Sequence, residues 1–246
     1  MARPRKKLKI LLIEPNYSNK YPPIGLMKLS TYHKMLGHEV VFYKGDLKQF
    51  VIERIANKCI DEFYKIDENI NWNLYKDLFV EYIRTRRRDF LVQIPISSTN
   101  MEILLTNKIN QFKDYYWKKN WEADPEWDRV FVTTLFTFHW RITIDTINFA
   151  KKLVKDTKNL MVGGVLATIQ AKEVYEATGI KPFKGILNIP GQLDKRNQLI
   201  IDNLPLDYSI LDEIEYKYPM NNAYYGYTTR GSVSYTHLTL PTILRV

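Results

Sequence analysis

The chain has 246 residues, 45% of them hydrophobic and 13% aromatic, with a formal net charge of +9. This composition excludes a disordered chain, the longest apolar runs are too short to cross a bilayer, and the basic N-terminus leads into Glu14 and Pro15 rather than a cleavage site. A soluble cytoplasmic protein is therefore expected. The positive residues are scattered, with clusters only in the N-terminal tail and between Arg84 and Arg88, which argues against nucleic acid as a partner. Cys59 is the only cysteine, so disulfides and thiolate metal sites are excluded within the chain.

Ile10, Leu11, Leu12 and Ile13, closed by Glu14 and Pro15, predict a strand buried on both faces and hence the central strand of a parallel sheet. Ligands of open parallel sheets lie beyond the carboxyl ends of the strands, so the loop from Asn16 to Pro23 is the first candidate ligand floor. Leu26, Leu29, His33 and Leu36 follow at helical spacing, and Gly37 and His38 close that helix. A second strand over 39–43 completes one right-handed crossover unit. His33 and His38 are expected at the surface or in the helix cap rather than as ligands.

From 46 to 125 the apolar residues take a helical period: Phe50, Ile55, Cys59, Phe63; then Trp72, Tyr75, Phe79, Tyr82; then Met101, Leu105, Ile109, Phe112, Tyr116. Three amphipathic helices are predicted there as an insertion, with Ser98 or Thr99 capping the third. Such an insert covers a sheet end or packs on a partner domain; a substrate lid is the alternative.

A third strand is predicted over 129–135, followed by a helix carrying Trp140, Ile144, Ile147 and Val154. The fourth strand, Leu160-Met161-Val162, ends in Gly163 and Gly164. A glycine pair there either lets a bulky ligand lie against backbone or makes a tight turn. A helix over 171–177 and a short fifth strand over 184–187 complete the predicted sheet. Beyond Pro190 the order weakens, and Leu204-Pro205-Leu206-Asp207-Tyr208-Ser209 has the look of a connector before a new strand at 224–229.

Taken in order, several landmarks resemble the N-terminal half of cobalamin-dependent radical S-adenosylmethionine proteins. They are the first strand with Pro15 and the turn Tyr21-Pro22-Pro23-Ile24-Gly25-Leu26, then Gly37-His38-Glu39-Val40, then Val162-Gly163-Gly164 with Ala167-Thr168. Leu204-Pro205-Leu206-Asp207-Tyr208 and Thr228-Thr229-Arg230-Gly231 complete the set. The resemblance covers residues 8–45 and 128–231 and leaves the helical insert unmatched.

It implies an α/β fold, a Rossmann-like (flavodoxin-like) doubly wound parallel sheet of about five strands over residues 1–205, with the α-helical insertion at 46–125. It also implies a corrin over the strand ends, with Asn16, Tyr21, Pro22, Thr133, Thr134, Leu135, Gly163, Gly164 and Thr168 as cofactor-binding residues. No catalytic residue and no metal ligand are implied within this chain: the Asp-x-His-x-x-Gly motif that supplies histidine to cobalt is absent, which sets aside His33, His38 and His139.

In that family the Thr-Thr-Arg-Gly strand runs into a Cys-x-x-x-Cys-x-x-Cys loop, whose [4Fe–4S] cluster binds S-adenosylmethionine. Here Ser232 follows Gly231 and no cysteine comes after. Residues 206–231 are accordingly read as a connector and the first strand of a truncated radical S-adenosylmethionine barrel, and 232–246 as a foreign tail resembling translated sequencing adapter. The implied parent is a radical enzyme, a methyltransferase or methylthiotransferase acting on an unknown substrate, of which this chain alone is inactive. The alternatives are a non-catalytic Rossmann-like binding or partner-docking domain that has lost cobalamin, or a nucleotide-sugar-type transferase. The absence of Gly-x-Gly-x-x-Gly after the first strand, and of a Gly-x-x-x-x-Gly-Lys-Ser/Thr loop, removes the usual phosphate cradles.

Overall fold

The computed structural model describes residues 6–85, 93–94, 99–135, 137–219, 223–226 and 242–244. In chain order the elements are β1 (Lys9–Glu14), α1 (Ile24–Met35), β2 (Glu39–Lys44), α2 (Leu47–Tyr64), α3 (Lys76–Thr85), α4 (Thr99–Trp117), α5 (Asn120–Ala123), β3 (Arg129–Thr134), α6 (Trp140–Ala150), β4 (Leu160–Gly164), α7 (Val165–Ile169), α8 (Ala171–Thr178), β5 (Tyr224–Gly226) and β6 (Thr242–Leu244). The chain divides into two compact units, Met1–Lys44 with Glu126–Val246, and Gly45–Pro125.

The first unit is built on a four-stranded sheet in the order β2-β1-β3-β4. All its pairings are parallel, with Leu11 opposite Val41 and Val130, and Val132 opposite Val162. β1 is central because its residues are apolar on both faces: Ile10, Leu11, Leu12 and Ile13 are all at most 1% exposed. Ile10, Leu12 and Phe131 face a cluster with Leu26, Met27 and Tyr32 of α1, so Leu11, Ile13, Val130 and Val132 turn to the opposite face. The β1–β2 and β3–β4 crossovers run in opposite directions along the sheet, and right-handed connections then place α1 and α6 on opposite faces.

The predicted fifth strand at 184–187 is not formed. Phe183 makes one backbone hydrogen bond to Val162 at 2.7 Å, and the chain then turns away at Gly185, whose φ is 85°. The next N–H on that edge, Gly185, donates to the Thr168 hydroxyl, which itself occupies the Gly164 carbonyl, so the ladder stops after that single rung.

The stretch beyond Pro190 has little regular structure but is not loose. Ile201, Ile210, Ile214 and Tyr218 are buried in the α1-side core. Polar ties follow the outer face of α1: Ser30 to Asp207 at 2.6 Å, Thr31 to the Pro205 carbonyl at 2.7 Å, Lys34 to Asp207 at 2.7 Å and Tyr32 to Asp194 at 2.8 Å. His33, expected at the surface, is 0% exposed, between Tyr32 and Phe131. Sequence spacing put it on the apolar face of α1, and its ring neighbours from outside the helix are His38 and Phe131 of β3. β5 pairs antiparallel with β6, Tyr225 opposite Ile243; residues 227–231, where the second half of that strand was expected, lie outside the described residues.

The second unit packs α2, α3 and α4 around an aromatic cluster. Phe63 meets Trp72 and Phe79 edge-on at 5.1 and 5.2 Å. Asp46 caps α2 by accepting from Lys48 N–H at 2.8 Å, the cap the sequence needs at a helix start. Cys59 is 0% exposed, and burial pushes its thiol well above the usual range, which makes it inert packing. The proposed α4 cap falls on Ser98 and the Thr99 side chain, which lie outside the described residues. Among the described residues, no helix is long and apolar enough to cross a membrane.

Candidate functional site at the carboxyl rim

Because all four strands run the same way, the loop after β1 and the glycine pair ending β4 open on one rim, with the end of β3 between them. The rim falls into two halves with different chemistry.

On the β3–β4 half, Thr133 stands opposite Gly163 and Thr134 opposite Gly164. The buried Thr134 hydroxyl donates to the Gly163 carbonyl and accepts from Ala167 N–H, both at 3.0 Å. Leu166 N–H donates to the Leu135 carbonyl at 2.8 Å, so the turn into α7 is laced to the end of β3. The two glycines then differ. Gly164 has φ 111° and ψ −168°, a conformation essentially reserved for glycine, and a Cβ there would collide with the Thr134 carbonyl. Its role is close strand approach. Among the described residues, Gly163 has nothing within 4 Å of where a Cβ would lie, so its backbone faces open space there. Thr168, exposed, donates to the Gly164 carbonyl at 2.8 Å and accepts from Gly185 N–H at 3.2 Å. Val165, Ile169 and Phe138 stand exposed on the segments that leave β4 and β3.

Between the halves, Tyr17 is 1% exposed and its hydroxyl is hydrogen-bonded to that of Thr143 at 2.5 Å. Its ring stacks on His139, centroids 4.7 Å apart, and Thr143 donates to the His139 carbonyl at 2.9 Å. Burial, only partly offset by these bonds, pushes the Tyr17 phenol up to about 12. Tyr17 thus fills the crevice beside the end of β1 with a neutral, hydrogen-bonded ring.

On the β1–β2 half, the last residues of the two strands form an ion pair, Lys44 Nζ to Glu14 Oε2 at 3.0 Å, with both side chains 0% exposed. Asn19 donates to Glu14 at 3.0 Å and to the Tyr21 carbonyl at 2.7 Å, and its amide oxygen accepts from Lys44. Tyr218 donates a short hydrogen bond to Glu14, and the Tyr216 ring lies 4.0 Å from the Lys44 ammonium. Desolvation pushes Glu14 up and Lys44 down, each opposed by the other's charge and by these hydrogen bonds.

The sequence-predicted residues therefore divide. Thr133, Thr134, Leu135, Gly163, Gly164 and Thr168 come together on one half. Asn16 is exposed, Tyr21 is half-buried and edge-on to Tyr225 at 6.3 Å, and Pro22 is buried with its carbonyl accepting from Ile24 N–H at 3.0 Å, all in the loop on the other side of Tyr17. Glu14, Tyr17, Lys44, Thr143, Tyr216 and Tyr218 were missed. The available signal was a carboxylate closing an otherwise apolar strand and a lysine closing its neighbour, the register that places charges side by side in a parallel pair. A separate cavity of about 370 Å³ opens between the start of α1, the turn at Leu204–Leu206 and the tyrosines 208, 224 and 225; it is lined by none of the predicted residues.

Among the described residues no group of three histidine, cysteine or carboxylate side chains could hold a metal ion. No family model, no curated protein and no solved structure matches the chain, so what the coordinates establish is the architecture: an α/β unit on a parallel sheet with a helical unit inserted between β2 and β3.

Proposed function

We propose that the sheet unit carries a flat, largely apolar ligand on the β3–β4 half of its carboxyl rim, as the N-terminal domain of a longer radical S-adenosylmethionine protein. Cobalamin is the ligand of that class that the sequence resemblance implies. One observation carries the reading: Gly163 leaves backbone open at a strand end, and the helix that follows it exposes Val165 and Ile169, so an apolar ligand there removes surface from water.

The residues there fit one face of a corrin. Gly163 supplies close approach, Thr133 and Leu135 are half-exposed beside it, and the Thr168 hydroxyl stands at the edge. When bound, cobalamin supplies a cobalt centre able to carry a methyl group. This chain's share is to bind and orient one face of the ligand and to keep water from it. His139 is engaged with Tyr17, and the lone Cys59 cannot supply the three thiolates of a cluster, so radical chemistry belongs to the barrel of the parent.

A second reading, a partner-docking domain that has lost cobalamin, is favoured by Tyr17, which occupies the crevice beside β1 that a ligand's tail would otherwise enter. Titrating the full chain with hydroxocobalamin separates the two. Saturable change in corrin absorbance, lost in a folded Gly163→Phe variant, supports the ligand reading. No binding at high micromolar concentration overturns it in favour of docking.

A further inference from the structure

The Glu14–Lys44 pair is an unusual seal for a sheet end. Two apolar side chains of similar size would close the same space without taking charges out of water, and replacing a buried ion pair in this way is often neutral or stabilising. Beside the Asn19 amide, the aromatic cover of the pair comes from one short segment. Ile214 is buried in the α1-side core, the Tyr216 hydroxyl donates to the Asn19 carbonyl at 2.6 Å while its ring covers Lys44, and the Tyr218 hydroxyl reaches Glu14. Just upstream, Glu213 accepts from Phe42 N–H at 2.8 Å, on β2, the outer strand.

Closure over charges differs physically from closure over apolar residues. When the segment lifts, water reaches both ions and the desolvation that opposed the closed state disappears, which offsets the broken packing and hydrogen bonds of the segment. Closed and open states are thereby drawn together in free energy, the condition for a two-state element.

We propose that residues 214–218 are a strap that opens as a unit without unfolding the sheet, and that opening uncovers the Glu14–Lys44 pair at the ends of β1 and β2. The strap leads within a few residues to β5, so whatever engages β5 holds the handle of the closure. Open, the rim presents an ammonium, a carboxylate and the Asn19 amide beside the apolar β3–β4 half. The proposal stands whether or not a ligand occupies that other half, because the strap's contacts are independent of it.

Amide hydrogen exchange of the full chain without ligand, read by mass spectrometry, tests it. Peptides covering 212–219 are expected to exchange at least about a hundredfold faster than those of β1, as a sub-global opening does. Tyr218→Phe, which removes the hydroxyl from Glu14, should speed strap exchange by about tenfold and leave β1 unchanged. Replacing both ions and the phenol together, in a Glu14→Leu/Lys44→Met/Tyr218→Phe variant that leaves no hydroxyl without its acceptor, should slow it by about tenfold. Strap protection equal to that of β1 in the unsubstituted chain overturns the proposal, as does a folded triple variant whose strap exchanges as fast or faster. If the triple variant does not fold, Tyr218→Phe decides alone: unchanged strap exchange overturns the proposal.

Discussion

The two glycines that end β4 should respond oppositely to the same methyl group. At Gly164, alanine meets two independent obstacles. The backbone sits at φ 111° and ψ −168°, where a Cβ costs about 1–3 kcal/mol in strain. The new atom also lies 2.9 Å from the Thr134 nitrogen and closer still to the Thr134 carbonyl. Those are backbone atoms of a paired strand, so relief requires β3 and β4 to part, at a further cost of about 1–3 kcal/mol. Parting them also loosens the Thr134 hydroxyl from the Gly163 carbonyl and Ala167 N–H, the bonds that fix the start of α7.

Gly164→Ala should therefore destabilise the sheet unit by about 2–6 kcal/mol. Gly163→Ala, with nothing within 4 Å of the added carbon, should change stability by less than about 1 kcal/mol, in the stabilising direction, because alanine restricts the unfolded chain more than glycine does. Urea denaturation of both variants beside the parent reads the difference as midpoints at a common slope. Equal midpoints for the two alanine variants would refute the assignment of Gly164 to strand approach and Gly163 to an open platform.

Three further outcomes follow from buried polar groups. His33 is fully buried, neither ring nitrogen has a hydrogen-bond partner among the described residues, and burial, with Arg129 and His38 nearby, holds its pKa at about 3 against an ordinary 6.5. A depressed pKa means stability complete above pH 6.5 and lost as pH falls toward 3, on the order of 4 kcal/mol across that window; His33→Phe should flatten this limb in urea midpoints measured between pH 7 and 4. Tyr17→Phe should cost about 1–2 kcal/mol by leaving Thr143 without the phenol, and should remove one tyrosine from the population titrating near pH 12 in the ultraviolet spectrum. Asp194→Ala removes both carboxylate contacts to Arg129, at 3.0 and 2.5 Å, and the acceptor of Tyr32. It should destabilise the sheet unit by about 2 kcal/mol, with Asp194→Asn recovering part of that.

How far the sequence reached depends on the range of the interaction that decides each feature. β1 and α1 were legible because period and run length are local: four apolar residues in a row are buried on both faces, and Leu26 and Leu29 lie one turn apart. The strand at 184–187 was misread for the opposite reason, since its apolar Ile186 and Leu187 look like a strand while the Thr168 hydroxyl, from α7, stands between Gly185 N–H and the Gly164 carbonyl it would have paired with. His33 reads as a surface or cap residue until β3, nearly a hundred residues downstream, brings Phe131 and Arg129 against α1. Nothing within a helical turn of His33 announces that cover.

The rim shows the same limit in its chemistry. Glu14 and Lys44 are each the last residue of a strand, and parallel register alone sets them side by side. Whether the pair stands in water or in the core is decided by Tyr216 and Tyr218, which no local pattern connects to either residue. An exposed pair would be worth little, whereas a buried one constrains the chain that covers it to satisfy a carboxylate and an ammonium at once. That demand explains why the covering segment brings a phenol hydroxyl to the carboxylate and an aromatic face to the ammonium rather than two aliphatic side chains. It also locates the functional interest of the rim: a segment chosen only to seal would have matched apolar strand ends, and these ends are charged.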